Sequence, residues 1–284
     1  MSNTVPERDA KGRTLYVVAT PIGNLADMSE RAKRILADVD FVAAEDTRIS
    51  AKLLTLYGIK KPLVNYFEHN KAFMGEKVLD RLICGESCAL VTDAGTPAIS
   101  DPGEDLCALC HKNGIEVVPI PGCSAAIAAL SASGMPSRRF TFEGFLPREK
   151  KEQAELFEEL ISEKRTMIFY EAPHRLVKTL EAFLDAFGDR EICLCRELTK
   201  LNEEITRTTL SESLKVYKDK EPRGEYVIII GGATESADGV FWENLTIDEH
   251  AEFYMKQGLS KMDAIKKVAK DRGVPKNEIY KELL

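Results

Sequence analysis

Three short clusters combine carboxylates with cations: "AEDTR" with Glu45, Asp46 and Arg48, "YEAPHR" with Glu171, His174 and Arg175, and "CRELTK" with Arg196, Glu197 and Lys200. A carboxylate or neutral amine within hydrogen-bond reach of a hydroxyl can accept its proton, and a neighbouring cation can hold the oxygen left behind. Each cluster also has an architectural reading. Asp46 can N-cap a helix beginning near Thr47, Glu171 can pair with Arg175, and Arg196 with Glu197 can form a rim ion pair. His174 titrates closest to neutrality, but it follows Pro173 in the expected first turn of a helix, where a hydrogen bond to backbone is the simpler role.

Three loops rich in proline and small residues, "TPIGN", "DAGTPAISDPG" and "PGCSAA", directly follow apolar runs. None matches GxGxxG or GxxxxGK[ST], so dinucleotides and ATP lack their usual signature. Proline in each loop removes backbone donors that a phosphate would need. What remains is a rigid backbone suited to a flat, largely neutral, adenosine-like ligand. Cysteine spacing offers a rival chemistry: Cys84 with Cys88, and Cys107 with Cys110 followed by His111. Zinc would explain it, but positions three apart also share the apolar face of a helix, and free cysteine is among the most buried residue types. No metal is therefore expected.

The elements that must position these groups follow a simple rhythm. "TLYVVAT", "FVAAE", "PLVNYF", "CALVTD" and "IEVVPIPG" read as strands, each followed by a helical pattern; Ser29 is the expected N-cap of the first helix and Gly58 the stop of the second. Five strands alternating with helices imply a mainly parallel sheet covered on both faces. In such sheets, ligands bind beyond the carboxyl ends of the strands, where all three loops fall. After Pro136 the rhythm changes: "RRFTFEGFLP", "TMIFYEAP", "EICLCREL", "ITRTTL" and "YVIIIGG" supply strands with fewer helices between them, as in a mixed α/β domain. The expected division is a flexible N-terminus at 1–13, an α/β domain at 14–135, a mixed α/β domain at 136–233, a linker at 234–245 and a helical domain at 246–284. That last segment has three short helical patterns broken at Gly258 and Gly273, with Pro275 opening the third, and resembles a helix-turn-helix.

The 284 residues are 44% hydrophobic and 30% charged, enough for real cores. No apolar run approaches the roughly 20 residues of a membrane span, and the N-terminus lacks a signal-peptide core, so a cytoplasmic protein without a membrane partner is expected. Seven cysteines then fit reduced thiols. A formal net charge of −7 argues against nucleic-acid binding by the whole surface. Positive charge is concentrated instead in "REKK" (Arg148 to Lys151), Arg138, Arg139 and the C-terminal helices, which include Lys266 and Lys267; a solvated helical cap would carry similar runs.

Together the ordered motifs "LYVVATPIGNLADMSERA", "AEDTR", "VTDAGTPAISDPG", "PGCSAAIAALSASG", "FEGFLP", "FYEAPHR", "CRELTK" and "RGEYVIIIGG" resemble the tetrapyrrole-methylase superfamily. More narrowly, they resemble its small-subunit ribosomal RNA 2′-O-ribose methyltransferase branch, from about Thr14 to Gly232; "AEDTR" and "YEAPHR" are specific to that branch. The resemblance implies two α/β domains with S-adenosylmethionine in the cleft between them, a homodimer, and methyl transfer to a cytidine ribose in the decoding region of small-subunit ribosomal RNA. Free RNA or an assembled small ribosomal subunit would be the partner. It implies cofactor contacts from Pro21, Asp93, Ala94, Gly95, Pro97, Ser124, Ala125 and Tyr170. In the precorrin enzymes the comparable loop carries Gly-Asp-Pro, whereas here the order is "DAGTP". For the chemistry, Asp46 or Glu197 is expected to accept the hydroxyl proton and Lys200 to hold the attacking oxygen, with Arg48, Arg175 and Arg196 on RNA phosphates. The basic tail resembles the small domain carried by those proteins, which favours RNA contacts there. Two rivals stand beside this: a small-molecule tetrapyrrole methylase of the same fold, and a non-catalytic RNA-binding scaffold.

Overall fold

The computed structural model describes residues 10, 12–233, 245–256 and 259–283, and the chain divides into two compact units, Met1–Ala233 and Thr234–Leu284. In the first unit, strands β1 (Thr14–Val18), β2 (Phe41–Ala44), β3 (Leu63–Asn65), β4 (Ser87–Val91) and β5 (Glu116–Ile120) alternate with helices α1 (Glu30–Asp38), α2 (Thr47–Leu56), α3 (Lys71–Ile83) and α4 (Gly103–Lys112). The strands are parallel, in the order β3-β2-β4-β1-β5. The central strands are apolar on both sides because both faces are covered. Tyr16, Val18 and Val42 meet Ile35 and Leu36 of α1, while Leu15, Phe41 and Leu90 meet Leu79 and Leu82 of α3 and Leu106 of α4. Cys110 belongs to that second core, where burial pushes its thiol up to about 12. Among the described residues no group of three or more His, Cys, Asp or Glu side chains converges on a metal position.

A second sheet follows: α5 (Ala125–Ser133), β6 (Phe140–Phe145), α6 (Lys150–Leu160), β7 (Thr166–Glu171), α7 (Leu176–Phe187), β8 (Glu191–Arg196), β9 (Glu204–Thr209), α8 (Leu210–Asp219) and β10 (Tyr226–Ile230). Its order is β6-β7-β10-β8-β9; β6 and β7 run parallel and the other pairs antiparallel. The region holds more helix than the strand pattern suggests. In α7 and α8, the apolar residues Leu176, Leu180 and Phe183, and Leu210 and Leu214, recur at helical spacing and pack on Phe169, Leu194 and Ile228.

The two sheets, at the expected 14–135 and 136–233, both lie in the compact unit Met1–Ala233. Helix α5 joins them. It leaves the end of β5, yet its Ala126, Ala129 and Leu130 pack on Ile168, Cys193, Cys195, Val227 and Ile229 of the second sheet. An alanine-rich helix permits close approach, so the last helix of the first βα series seals the second sheet.

The second unit contains α9 (Ile247–Lys256), α10 (Lys261–Arg272) and α11 (Lys276–Glu282) around Tyr254, Ile265, Val268 and Ile279. Ser260 caps α10 by accepting the Asp263 N–H, and the buried His250 receives the Arg272 Nε–H at 3.3 Å. Most of the expected N-terminal arm, residues 234–244 of the expected linker and the break at Gly258 lie outside the described residues. Within the arm, the Arg13 N–H donates to the Glu86 carbonyl at 2.8 Å. Among the described residues no helix is long and apolar enough to cross a membrane.

Candidate active site

The carboxyl ends of the first sheet open onto a cleft of about 490 Å³, with the second sheet as its far wall; small-molecule sites typically measure about 300–1,000 Å³. Hydrogen bonds between the three loops build the near wall. Thr20 and Gly95 exchange backbone bonds of 2.9 and 3.1 Å, tying the loop after β1 to that after β4. Thr96 Oγ1 donates to the Cys123 carbonyl at 2.8 Å, tying in the loop after β5. Gly95 itself has φ +89°, a conformation that L side chains rarely adopt.

Within "AISD" the chain is held in an unusual path. Ala98 and Ser100 have φ of +64° and +69°, and Asp101 Oδ1 accepts the Ala98 and Gly103 N–H groups at 2.9 and 2.8 Å. Burial pushes the Asp101 carboxyl above its ordinary range. Asp93 is raised too, by burial and then by the neighbouring Glu45, whose Oε2 accepts the Thr92 hydroxyl at 2.6 Å. Ser124 stands at the N-cap of α5, and the Ala126 N–H donates to the Tyr170 hydroxyl at 3.1 Å. Asp93, Ala94, Gly95, Ser124, Ala125 and Tyr170 all line the cleft. Pro21 and Pro97 are buried beside it, and their neighbours Ile22 and Thr96 face it.

The far wall carries the lysine of the cleft and further carboxylates. Lys200 Nζ bridges Glu197 Oε1 at 2.8 Å and Glu225 Oε2 at 2.7 Å, and the Glu225 N–H also donates to Glu197 Oε1 at 3.0 Å. The bond from Lys200 pulls the Glu197 carboxyl below its ordinary range. For Lys200, partial burial acts downward, but its bonds to the two carboxylates outweigh that and leave the ammonium raised and charged. Glu197 and Thr199 have φ of +50° and +66°. With Ala98 and Ser100, both walls therefore contain left-handed non-glycine residues, a form of strain that clusters at functional sites.

Glu197 and Lys200 thus come together on the cleft, and Asp46 stands apart from its lining. Asp46 caps α2 by accepting the Arg48 N–H at 2.8 Å and pairs with the Arg48 guanidinium at 2.6 Å. Those bonds hold its carboxyl at about 2. Its own N–H donates to Asp93 Oδ1 at 3.1 Å, which steadies a cleft residue. Among the expected RNA contacts, Arg48 is exposed, whereas Arg175 turns inward: its Nη2 donates to the Leu146 carbonyl at 2.6 Å and its Nε lies 3.4 Å from the buried Glu171. Arg196 donates to the Arg223 carbonyl at 2.7 Å and pairs with Glu204 at 3.2 Å. His174 is exposed in the turn before α7. Lys266 and Lys267 are exposed on α10, Lys266 beside Asp263 at 2.9 Å and Lys267 over the Tyr254 ring.

Several lining residues were not singled out from sequence: Asp101, Glu225, Phe145 and Cys195. Asp101 had a usable signal, because Asp before Pro-Gly commonly bonds to local backbone. The others had none, since neither a bulge nor the meeting of β8 with the turn before β10 is written locally. The cleft gathers Glu45, Asp93, Asp101, Glu171, Glu197 and Glu225 against Lys200. With Tyr170 beside them, this lining suits a ligand that is flat at one end and positively charged at the other.

The family model for tetrapyrrole (corrin/porphyrin) methylases matches residues 14–213, which contain both walls of this cleft except for Glu225 and its neighbours on β10. The chain belongs to the tetrapyrrole methylase family. Within it, the chain is 50% identical over 276 residues to the ribosomal RNA small subunit methyltransferase I of Halalkalibacterium halodurans, covering 96% of this chain and 95% of that one. It is 48% identical to the protein of the same name from Bacillus subtilis, over 94% of this chain and 92% of that one. Methylase folds recur among solved structures: diphthine synthase aligns with a TM-score of 0.61 at 14% identity, over 78% of this chain and 90% of that one. The Thermus thermophilus uroporphyrin-III C-methyltransferase complexed with S-adenosylhomocysteine aligns with a TM-score of 0.54 at 19% identity, over 78% and 97%. At those identities the structures establish the methylase fold alone.

Proposed function

We propose that this chain transfers the methyl group of S-adenosylmethionine to the ribose 2′-hydroxyl of a cytidine in the decoding region of small-subunit ribosomal RNA. The observation that carries this is the 50% identity to a ribosomal RNA small subunit methyltransferase I along 96% of the chain, in a protein whose cleft loops are intact. The sulfonium of the cofactor supplies an electrophilic methyl carbon. The remaining work belongs to the protein.

Ala94, Gly95, Ser124, Ala125 and Tyr170, with Pro21 and Pro97 behind them, would hold the cofactor, and Asp93 would face its positive end. Alignment of the acceptor oxygen with the methyl carbon can supply roughly 7–11 kcal/mol of the barrier. Lys200, charged between two carboxylates, holds the 2′-oxygen and favours loss of its proton; Glu197, ionised at neutral pH, accepts that proton. Asp46 is the weaker candidate, because it stands apart from the cleft that Glu197 and Lys200 line. Arg48, Lys266 and Lys267 supply exposed positive charge for phosphates, together with Arg148 to Lys151. Arg175 and Arg196 are read instead as braces for the far wall. The family resemblance supports a homodimer, and a ribosomal substrate supports a cytoplasmic location.

Calorimetric titration with S-adenosylmethionine, followed by a labelled-methyl assay on small ribosomal subunits, tests this directly. Cofactor binding with label in the RNA ribose is expected, and binding without RNA labelling would overturn the substrate. A small-molecule methylase of the same fold would keep full activity when residues beyond Asp238 are removed; the RNA enzyme would lose it. A non-catalytic scaffold would bind RNA but transfer no label.

A further inference from the structure

An exposed aromatic ring on the wall of a cleft, packed so that its position is fixed, offers a ready-made face to a flat ligand. Phe145, at the end of β6, is 53% exposed and lines the cleft. Its position depends on a bulge. Phe142 pairs with Ile168, Gly144 with Phe169 and Phe145 with Tyr170, so Glu143 is an extra residue between the paired positions. In a regular strand, residues 142 and 145 would point to opposite faces; the inserted residue returns Phe145 to the face of Phe142. Both rings then pack edge-on against Tyr170, at centroid distances of 4.9 and 5.6 Å. Gly144 makes the bulge possible with φ +66°, and a side chain there would come within 3.2 Å of Ser100 Oγ on the opposite loop.

The chain beyond Phe145 is pinned as well. The Leu146 carbonyl accepts from Arg175 Nη2 at 2.6 Å, and the Pro147 carbonyl accepts from Gln153 Nε2 at 2.6 Å. Tyr170, beneath the ring, is fixed by the Ala126 N–H. The exposed cations Arg148, Lys150 and Lys151 come directly after. An aromatic face beside a basic run is the pairing that recognises an unpaired nucleotide, with stacking for the base and positive charge for its phosphates.

We propose that Phe145 is a base-stacking platform: the base of the acceptor nucleotide, turned out of the RNA, lies on its ring, which sets that nucleotide's ribose in the cleft between Lys200 and the cofactor loops. The proposal rests on the RNA-methyltransferase reading above. Stacking of a base on an aromatic side chain is worth about 1–3 kcal/mol, which corresponds to roughly 5- to 150-fold in binding.

Phe145→Ala, Phe145→Leu, Phe145→Tyr and Phe145→Trp would be compared with wild type in single-turnover methylation of unmethylated small ribosomal subunits, alongside cofactor affinity by calorimetry and melting temperature. The expected result is a loss of at least fivefold in transfer efficiency on RNA for the Ala and Leu variants, and retention within about threefold for Tyr or Trp, with cofactor affinity unchanged in all folded variants. Leu activity equal to wild type would overturn the proposal, since any apolar surface would then serve. Weakened cofactor binding in parallel with the RNA defect would overturn it too, by making Phe145 a wall of the cofactor site. Wild type that binds cofactor but transfers nothing to RNA would sink the parent reading, and the platform with it.

Discussion

The two walls of the cleft are built by different means. The near wall comes from three loops at the ends of parallel strands, fastened by bonds to main-chain groups: Thr20 and Gly95 through backbone, the Thr96 hydroxyl to the Cys123 carbonyl, and, within one loop, the Ala98 and Gly103 N–H groups to the Asp101 carboxylate. The far wall comes from an antiparallel sheet and presents long side chains, with Lys200 between Glu197 and Glu225 and with Phe145 on its bulge. Backbone fastening suits a ligand that is the same in every turnover. Projecting, ionised side chains suit an acceptor that must arrive, be aligned and leave. On the proposed function, the near wall, with Tyr170 from the far side, would keep the methyl donor, and Lys200, Glu197 and Phe145 would handle the RNA.

Breaking the near wall should remove donor binding. Gly95→Trp forces a side chain onto a backbone at φ +89° and into the cleft, and calorimetry should detect no binding, a loss of at least about 100-fold. Breaking the far wall should spare binding and remove chemistry. Lys200→Ala and Glu197→Gln are each expected to lower single-turnover rates by about 10²–10⁴-fold with donor affinity within about twofold of wild type; a loss of affinity in either variant would erase the division. The pH profile sharpens this. Because Lys200 holds Glu197 below the ordinary carboxylate range, the group is ionised through neutrality and activity falls only as pH drops through that lowered value. Lys200→Ala removes the cause, so the acid limb should move upward.

Asp101→Ala is a subtler cut at the near wall, since it leaves two part-buried N–H groups without their acceptor. About 1–3 kcal/mol of stability should be lost by denaturant titration, and the KM for the donor should rise more than kcat falls. The control touches neither wall: Ser29→Ala removes the cap that accepts the Ala32 N–H at 3.1 Å. It should cost about 1 kcal/mol by the same titration with both kinetic parameters unchanged.

Much of the first sheet and its loops was legible in the chain. Ser29 and Asp46 cap the helices they precede, and the three Pro/Gly loops fall at one edge of the parallel sheet. Such features depend on neighbours a few residues apart. The far wall was legible only in part: "CRELTK" marked Glu197 and Lys200, but nothing local separated Arg175, which braces Leu146, from Arg48, which remains exposed. Nor did anything local show that Glu197 lines the cleft while Asp46 stands outside its lining.

Local sequence was enough for the strands of both sheets, the βα order of the first sheet, most helix starts and the three Pro/Gly loops after its strands, because periodicity and turn chemistry act over short spans. Tertiary structure alone decided that α5 seals the second sheet, that Glu225 meets Lys200 across 25 residues of chain, and that Phe145 shares a face with Phe142. Each of those outcomes is a contact between segments whose local preferences are satisfied either way, so only their packing together selects one.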